Sequence, residues 1–144
     1  MVFPAICVNY IMIESAKEFI KLRHSECQEE YQRAGFEEAT HETWLELIEN
    51  YPDMKIWVAR NRTISVDIMR ILSDDKDAIV RSAIASKHTL PQDLFIKLAQ
   101  DKEETVRNTI VFNKKTPLNI LQKISKEDPS EFIRNQALEK IRTV

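Results

Sequence analysis

Residues 77–101 read DAIVRSAIASKHTLPQDLFIKLAQD, and residues 103–127 read EETVRNTIVFNKKTPLNILQKISKE. Set 26 residues apart, the two stretches match in pattern, and residues 51–75 match them again. Met54, Val80 and Val106 share one register, as do Lys55, Arg81 and Arg107. Val58, Ile84 and Ile110 share another, followed by Ala59, Ala85 and Val111. Ile68, Leu94 and Ile120 recur in step, and so do Leu72, Leu98 and Ile124. Asp75, Asp101 and Glu127 close the units. Self-similarity at such a period marks a stack of supersecondary units, each unable to bury its apolar face alone.

Each unit reads as two short helices. In the middle copy, Val80, Ala83 and Ile84 give the first helix one apolar stripe, and Leu94, Phe95, Leu98 and Ala99 supply the face of the second. Pro91 opens that second helix, where a missing N–H costs nothing. In the next copy Thr116 is the expected N-cap, with Pro117 behind it. Asn61 and Asn113 fall at the end of the first helix, where a left-handed C-cap is expected. Residues 132–138, FIRNQAL, match a first helix with one residue inserted and lack a second, so they should cap the stack. Upstream, Trp44, Leu45, Leu47 and Ile48 resemble a second helix, Glu26 to Ala39 a worn first helix, and residues 14–23 one more amphipathic helix. The expected organisation is a single domain over 1–144: an N-terminal arm or extension (1–13), degenerate helices (14–53), three clear repeats (54–127) and a partial capping repeat (128–144).

Composition agrees with an all-α chain. One glycine, Gly35, cannot serve many positive-φ turns, which argues against hairpin-rich β folds. Two cysteines, Cys7 and Cys27, do not make a disulfide framework and fit a reducing cytoplasm. The apolar opening, residues 1–13, lacks a basic flank and a cleavage site, and is too short to span a bilayer. The expectation is a cytoplasmic protein with no membrane association. Net charge is −2, but residues 1–54 hold 4 basic and 11 acidic side chains while residues 55–144 hold 17 and 12. The molecule is charge-polarised along its length, −7 against +5, and such a field can steer a charged partner.

The run Val80-Arg81-x-Ala83-Ile84-Ala85, Thr89-Leu90-Pro91, Leu94 and Leu98-Ala99-x-Asp101 resembles the leucine-rich repeat variant, within the wider HEAT-like α-solenoids. Val106-Arg107, Asn113 to Pro117, Ile120 and Ile124 are similar to it too, so the resemblance covers about residues 54–142. Glu29-Glu30-Tyr31-x-Arg33-Ala34 and Tyr51 to Ala59 look like small stand-alone bacterial proteins of this type. The resemblance implies a right-handed α-solenoid of short helix pairs and is nearly silent on function. Some leucine-rich repeat variant proteins carry an iron–sulfur cluster in a cysteine-rich N-terminal part; this chain has no cysteine cluster, so no cofactor is expected.

In solenoids of this type the second helix lines the inner surface. That makes Asp67, Arg70, Asp93, Lys97, Asn119 and Lys123 the candidate binding surface. A basic row follows the corners, with Arg62, His88 and Lys114 in register and Arg60, Lys87 and Lys115 beside them. It would neutralise phosphates, but no aromatic residues interleave with it to stack on bases. Lys55, Arg81, Arg107 and Arg134 form another basic ladder, with Asp77 and Glu103 four residues before two of its members. It reads either as a phosphate row or as a structural tie from each helix start to the neighbouring corner. Glu38, Glu42, Glu46 and Glu49 fall on one helical face, a candidate acidic surface. Trp44 and Trp57 read as core.

Catalysis has no support. His24, His41 and His88 have no consistent partner, and His24 with Cys27 is two metal ligands without a third. A single glycine cannot supply a phosphate loop. The expected function is a non-catalytic protein-binding solenoid, with a neutralising, immunity-type partner of a bacterial toxin as its sharper form. The alternative is a nucleic-acid binder using the corner row.

Overall fold

The computed structural model describes residues 12–144; residues 1–11 of the expected arm (1–13), Cys7 among them, lie outside the described residues. Every regular element described is helical, and the one extended contact is an isolated bridge between Ile13 and Ala39. The helices are α1 (Ala16–Arg23), α2 (Gln28–Phe36), α3 (His41–Asn50), α4 (Lys55–Arg60), α5 (Val66–Ser73), α6 (Ala78–Ala85), α7 (Gln92–Leu98), α8 (Glu104–Phe112), α9 (Leu118–Glu127) and α10 (Glu131–Arg142). A 3₁₀ turn, Pro52–Met54, leads into α4.

The repeat registers become the core. All members of the five apolar registers, from Met54, Val80 and Val106 to Leu72, Leu98 and Ile124, are buried. Burial of these faces is what holds such short helices, which would be marginal alone in water. First helices touch in chain order, α2 on α4, α4 on α6, α6 on α8 and α8 on α10. In the second row, α3 meets α5 and α5 meets α7. Residues 132–138 lie in α10, which packs on both α8 and α9 and buries Ile133 and Ala137.

Local details differ from the sequence reading in instructive ways. No residue described has positive φ. Asn61 and Asn113 are extended C-caps (φ −62°, ψ 133°; φ −64°, ψ 122°), so a left-handed turn is not why asparagine stands there. Their side chains reach the preceding corner instead. Asn61 Nδ2 donates to the carbonyls of Ala34 (2.8 Å) and Glu37 (3.0 Å), and Asn113 Nδ2 to those of Ala85 (2.8 Å) and Lys87 (2.9 Å). Each buried amide thus satisfies two carbonyls that the end of a helix leaves open. Pro91 and Pro117 are N-caps themselves, one position earlier than expected, and Thr116 donates its hydroxyl to the Ile110 carbonyl (2.5 Å) rather than capping α9.

The ion-pair ladder and the groove it floors

The basic register is a structural tie. Arg81 Nε and Nη2 donate to both carboxylate oxygens of Asp101 (2.8 and 3.0 Å), and Arg107 does the same to Asp128 (2.8 and 3.2 Å). Lys55 makes the first rung with Asp75 at 2.8 Å. Each carboxylate also accepts the amide two residues on, Asp77, Glu103 or Ser130, at 2.9 Å. The next arginine then donates to the same aspartate's carbonyl: Arg81 to Asp75 (2.8 Å), Arg107 to Asp101 (2.8 Å) and Arg134 to Asp128 (2.6 Å). The result is one chain of contacts from Lys55 to Arg134.

This overturns two expectations. Arg81 pairs with Asp101 and Arg107 with Asp128, while Asp77 caps α6 by accepting the Ile79 amide. The four-residue pairing of Asp77 and Glu103 with the arginines is therefore not made. The closing residue of the third unit is Asp128, not Glu127, because the inserted residue shifts the register by one: the rungs span 20, 20 and 21 residues. Burial by itself raises the carboxyl of Asp101; the Arg81 hydrogen bond and the Glu103 amide outweigh it and hold the group below its ordinary value. Asp75 is held down in the same way by Lys55 and the Asp77 amide.

The candidate second-helix surface divides into two. Between α5 and α7, Arg70 pairs with Asp93, and Lys97 Nζ donates to Asp74 (2.5 Å) and to Ser73 Oγ (3.0 Å). Asp67 is exposed on the first turn of α5. One repeat later the corresponding positions are Ile96 opposite Asn119, and Gln100 and Ala99 near Lys123. The ion pairs are gone, and Lys123 lies 4.0 Å from Glu127 on its own helix. Here a groove of about 660 Å³ opens between α7 and α9. Ile96, Ala99 and Gln100 form one wall, and Asn119, Ile120, Lys123, Ile124 and Glu127 the other. Asp101, Arg107 and Asp128 are its floor. The floor carboxylates are bound to Arg81 and Arg107, so the unmatched charge at the rim is basic; Lys102 has no carboxylate within 4.0 Å among the described residues.

Other predicted residues fall elsewhere. Arg60, Arg62, His88, Lys114 and Lys115 are exposed at or near the corners. Lys87 is not a free corner cation: its ammonium donates to the Asn61 carbonyl (2.6 Å), standing in for the asparagine of the neighbouring repeats. Burial and the nearby Arg62 charge bring it down to about 8. Glu42, Glu46 and Glu49 are exposed on α3, but Glu38 precedes the helix, with its carbonyl accepting the Ile13 amide (2.8 Å). Trp44 is core, edge-on to Phe19 with ring centroids 5.4 Å apart. Trp57 is half-buried at the edge of the core, and Arg23 and Arg60 lie 3.2 and 4.9 Å from its ring centroid. Arg62 lies 4.4 Å from the Phe36 centroid and Arg23 4.1 Å from that of Tyr31. Aromatic and basic residues therefore do interleave at this end, contrary to the sequence reading. The three-residue spacing of Trp57 and Arg60 within α4 was a legible signal; Arg23, from α1, was not.

Among the described residues, no group of three or more His, Cys, Asp or Glu could hold a metal ion, and no helix is long and apolar enough to cross a membrane. In comparisons with protein-family models, curated proteins and solved structures, none matches the chain.

Proposed function

We propose that this protein is a non-catalytic, protein-binding α-solenoid of the HEAT-like type whose α7/α9 groove takes an extended segment of a partner protein. The observation carrying this reading is the switch from Arg70–Asp93 and Lys97–Asp74 to Ile96/Asn119 and Gln100/Lys123. One row of helices is laced shut at one junction and left open at the next, over a floor formed by the buried ladder. The groove's volume is that of an ordinary binding pocket. Its apolar centre and basic rim suit a segment with aliphatic or aromatic anchors flanked by acidic residues. Stacked repeats favour this use, because surface positions vary freely while the core register stays fixed.

A test is selection from a random peptide library, followed by titration of the selected peptides while backbone amide shifts are followed by NMR. The expected peptides combine an apolar anchor with acidic flanks and shift amides of α7 and α9. They should lose about tenfold or more in affinity for the double variant Ile96→Arg/Asn119→Asp, which recreates the lacing of the preceding junction. Selected peptides that bind the double variant equally well, or shift other helices, would overturn the proposal.

A further inference from the structure

The arginine–aromatic cluster lies outside the groove and is unused by the proposed function. A recess of about 200 Å³ between α2 and α4 is lined by Tyr31, Gly35, Phe36 and Trp57, with Arg23 and Arg60 beside them. Arg23, Arg60 and Arg62 make no ion pair with any described carboxylate; each lies over a ring instead. Phe36 and Tyr31 are 54% and 43% exposed, leaving ring area uncovered. Gly35 is the chain's one glycine and sits within a helix, where glycine is unfavourable. It has no positive φ, and a Cβ there would meet nothing within 4 Å, so neither backbone nor packing asks for it. Its missing side chain leaves the recess wall flat.

The cations continue beyond the recess. Lys87 Nζ bonds the Asn61 carbonyl and Asn113 Nδ2 bonds the Lys87 carbonyl, so the corners carrying Arg62, His88 and Lys114 are consecutive along one edge. A flat-walled ring site with unmatched guanidiniums, opening onto a line of cations, has the makings of a single-strand site: bases stack on rings while the backbone tracks positive charge. We infer that the α2/α4 recess and the corner row that leads from it bind single-stranded nucleic acid, with a base stacked against Phe36 and Tyr31 and its phosphates on Arg60 and Arg62.

The experiment is fluorescence anisotropy of the full chain with labelled oligouridylate and oligothymidylate, with a duplex and uridine monophosphate as competitors. Saturable, salt-sensitive binding of the single strands is expected, accompanied by quenching of Trp57 fluorescence. Phe36→Ala and Arg62→Gln, both at exposed positions, should each weaken it about tenfold. Gly35→Leu should block the recess while unfolding no earlier than the parent protein. Ile96→Arg/Asn119→Asp should leave it unchanged, which separates this site from the groove. Absence of binding at low salt, or equal binding by the variants, would overturn the inference. So would equal competition by the duplex or by the mononucleotide, or occupation of the recess by an acidic peptide in place of the strand.

Discussion

The α5/α7 and α7/α9 junctions are built from the same repeat one step apart, yet one is closed and the other is a groove. Both share the buried rungs: Arg81–Asp101 under the first, Arg107–Asp128 under the second. They differ in the exposed layer, where Arg70–Asp93 and Lys97–Asp74 face water at the first and Ile96, Asn119 and Gln100 stand in place of Arg70, Asp93 and Asp74 at the second. The division teaches that stability and surface shape are held by different residues here. Exposed pairs contribute little to stability, because water already solvates both charges. They can still decide whether two helices meet. The buried rungs carry the opposite balance, since leaving one member alone strands a charge away from water.

The largest effect should come from breaking the rung that both sides of the groove depend on. Arg107→Met leaves Asp128, whose side chain is 2% exposed, without its cation, and should cost about 3–5 kcal/mol in urea unfolding. Adding Asp128→Leu to that variant should recover much of the loss. Cost without recovery would mean that the arginine acts mainly through its bond to the Asp101 carbonyl.

Asn113→Ala comes next. It orphans the carbonyls of Ala85 and Lys87 beneath the α8–α9 corner and should cost about 2 kcal/mol by the same measurement.

Lys87→Asn sharpens the comparison by restoring the corner chemistry of its neighbours. It should stabilise by about 1 kcal/mol at pH 7, through bonds like those of Asn113. Its advantage should shrink as pH rises. The Lys87 amine titrates near 8 in the folded protein and near 10.4 unfolded. Between those values the unfolded chain binds more protons, so the parent protein gains stability with rising pH while the variant does not. Urea midpoints at pH 7 and pH 10 that differ equally for both proteins would remove the argument.

The smallest effect on stability, and the most direct on shape, is Ile96→Arg/Asn119→Asp. The melting temperature should stay nearly unchanged, while small-angle scattering or amide shifts report the approach of α7 to α9. A variant whose groove stays open would show that α9 is placed by its contact with α10 rather than by the missing pairs.

Much of this was readable in the chain. The helices and their buried faces followed from apolar residues recurring every 26 positions, because a short helix buries the face on which its apolar residues gather. The departures at Ile96 and Asn119 were also visible as breaks in register, although nothing in the sequence marked them as more than surface variation. The rungs were half visible: both registers stood out, but pairing over 20 residues joins the start of one helix to the end of the next, and local spacing favoured Asp77 instead. The Arg23–Trp57 stack brings together residues from α1 and α4, a meeting no local pattern encodes.

The amino-acid sequence by itself determined which faces are buried, since periodic apolar spacing leaves a helix one way to satisfy water. Only the tertiary structure decided which charges pair, which corners join and where two helices part. Those outcomes depend on distances between elements remote in the chain, and a single inserted residue, as at Asp128, is enough to change them.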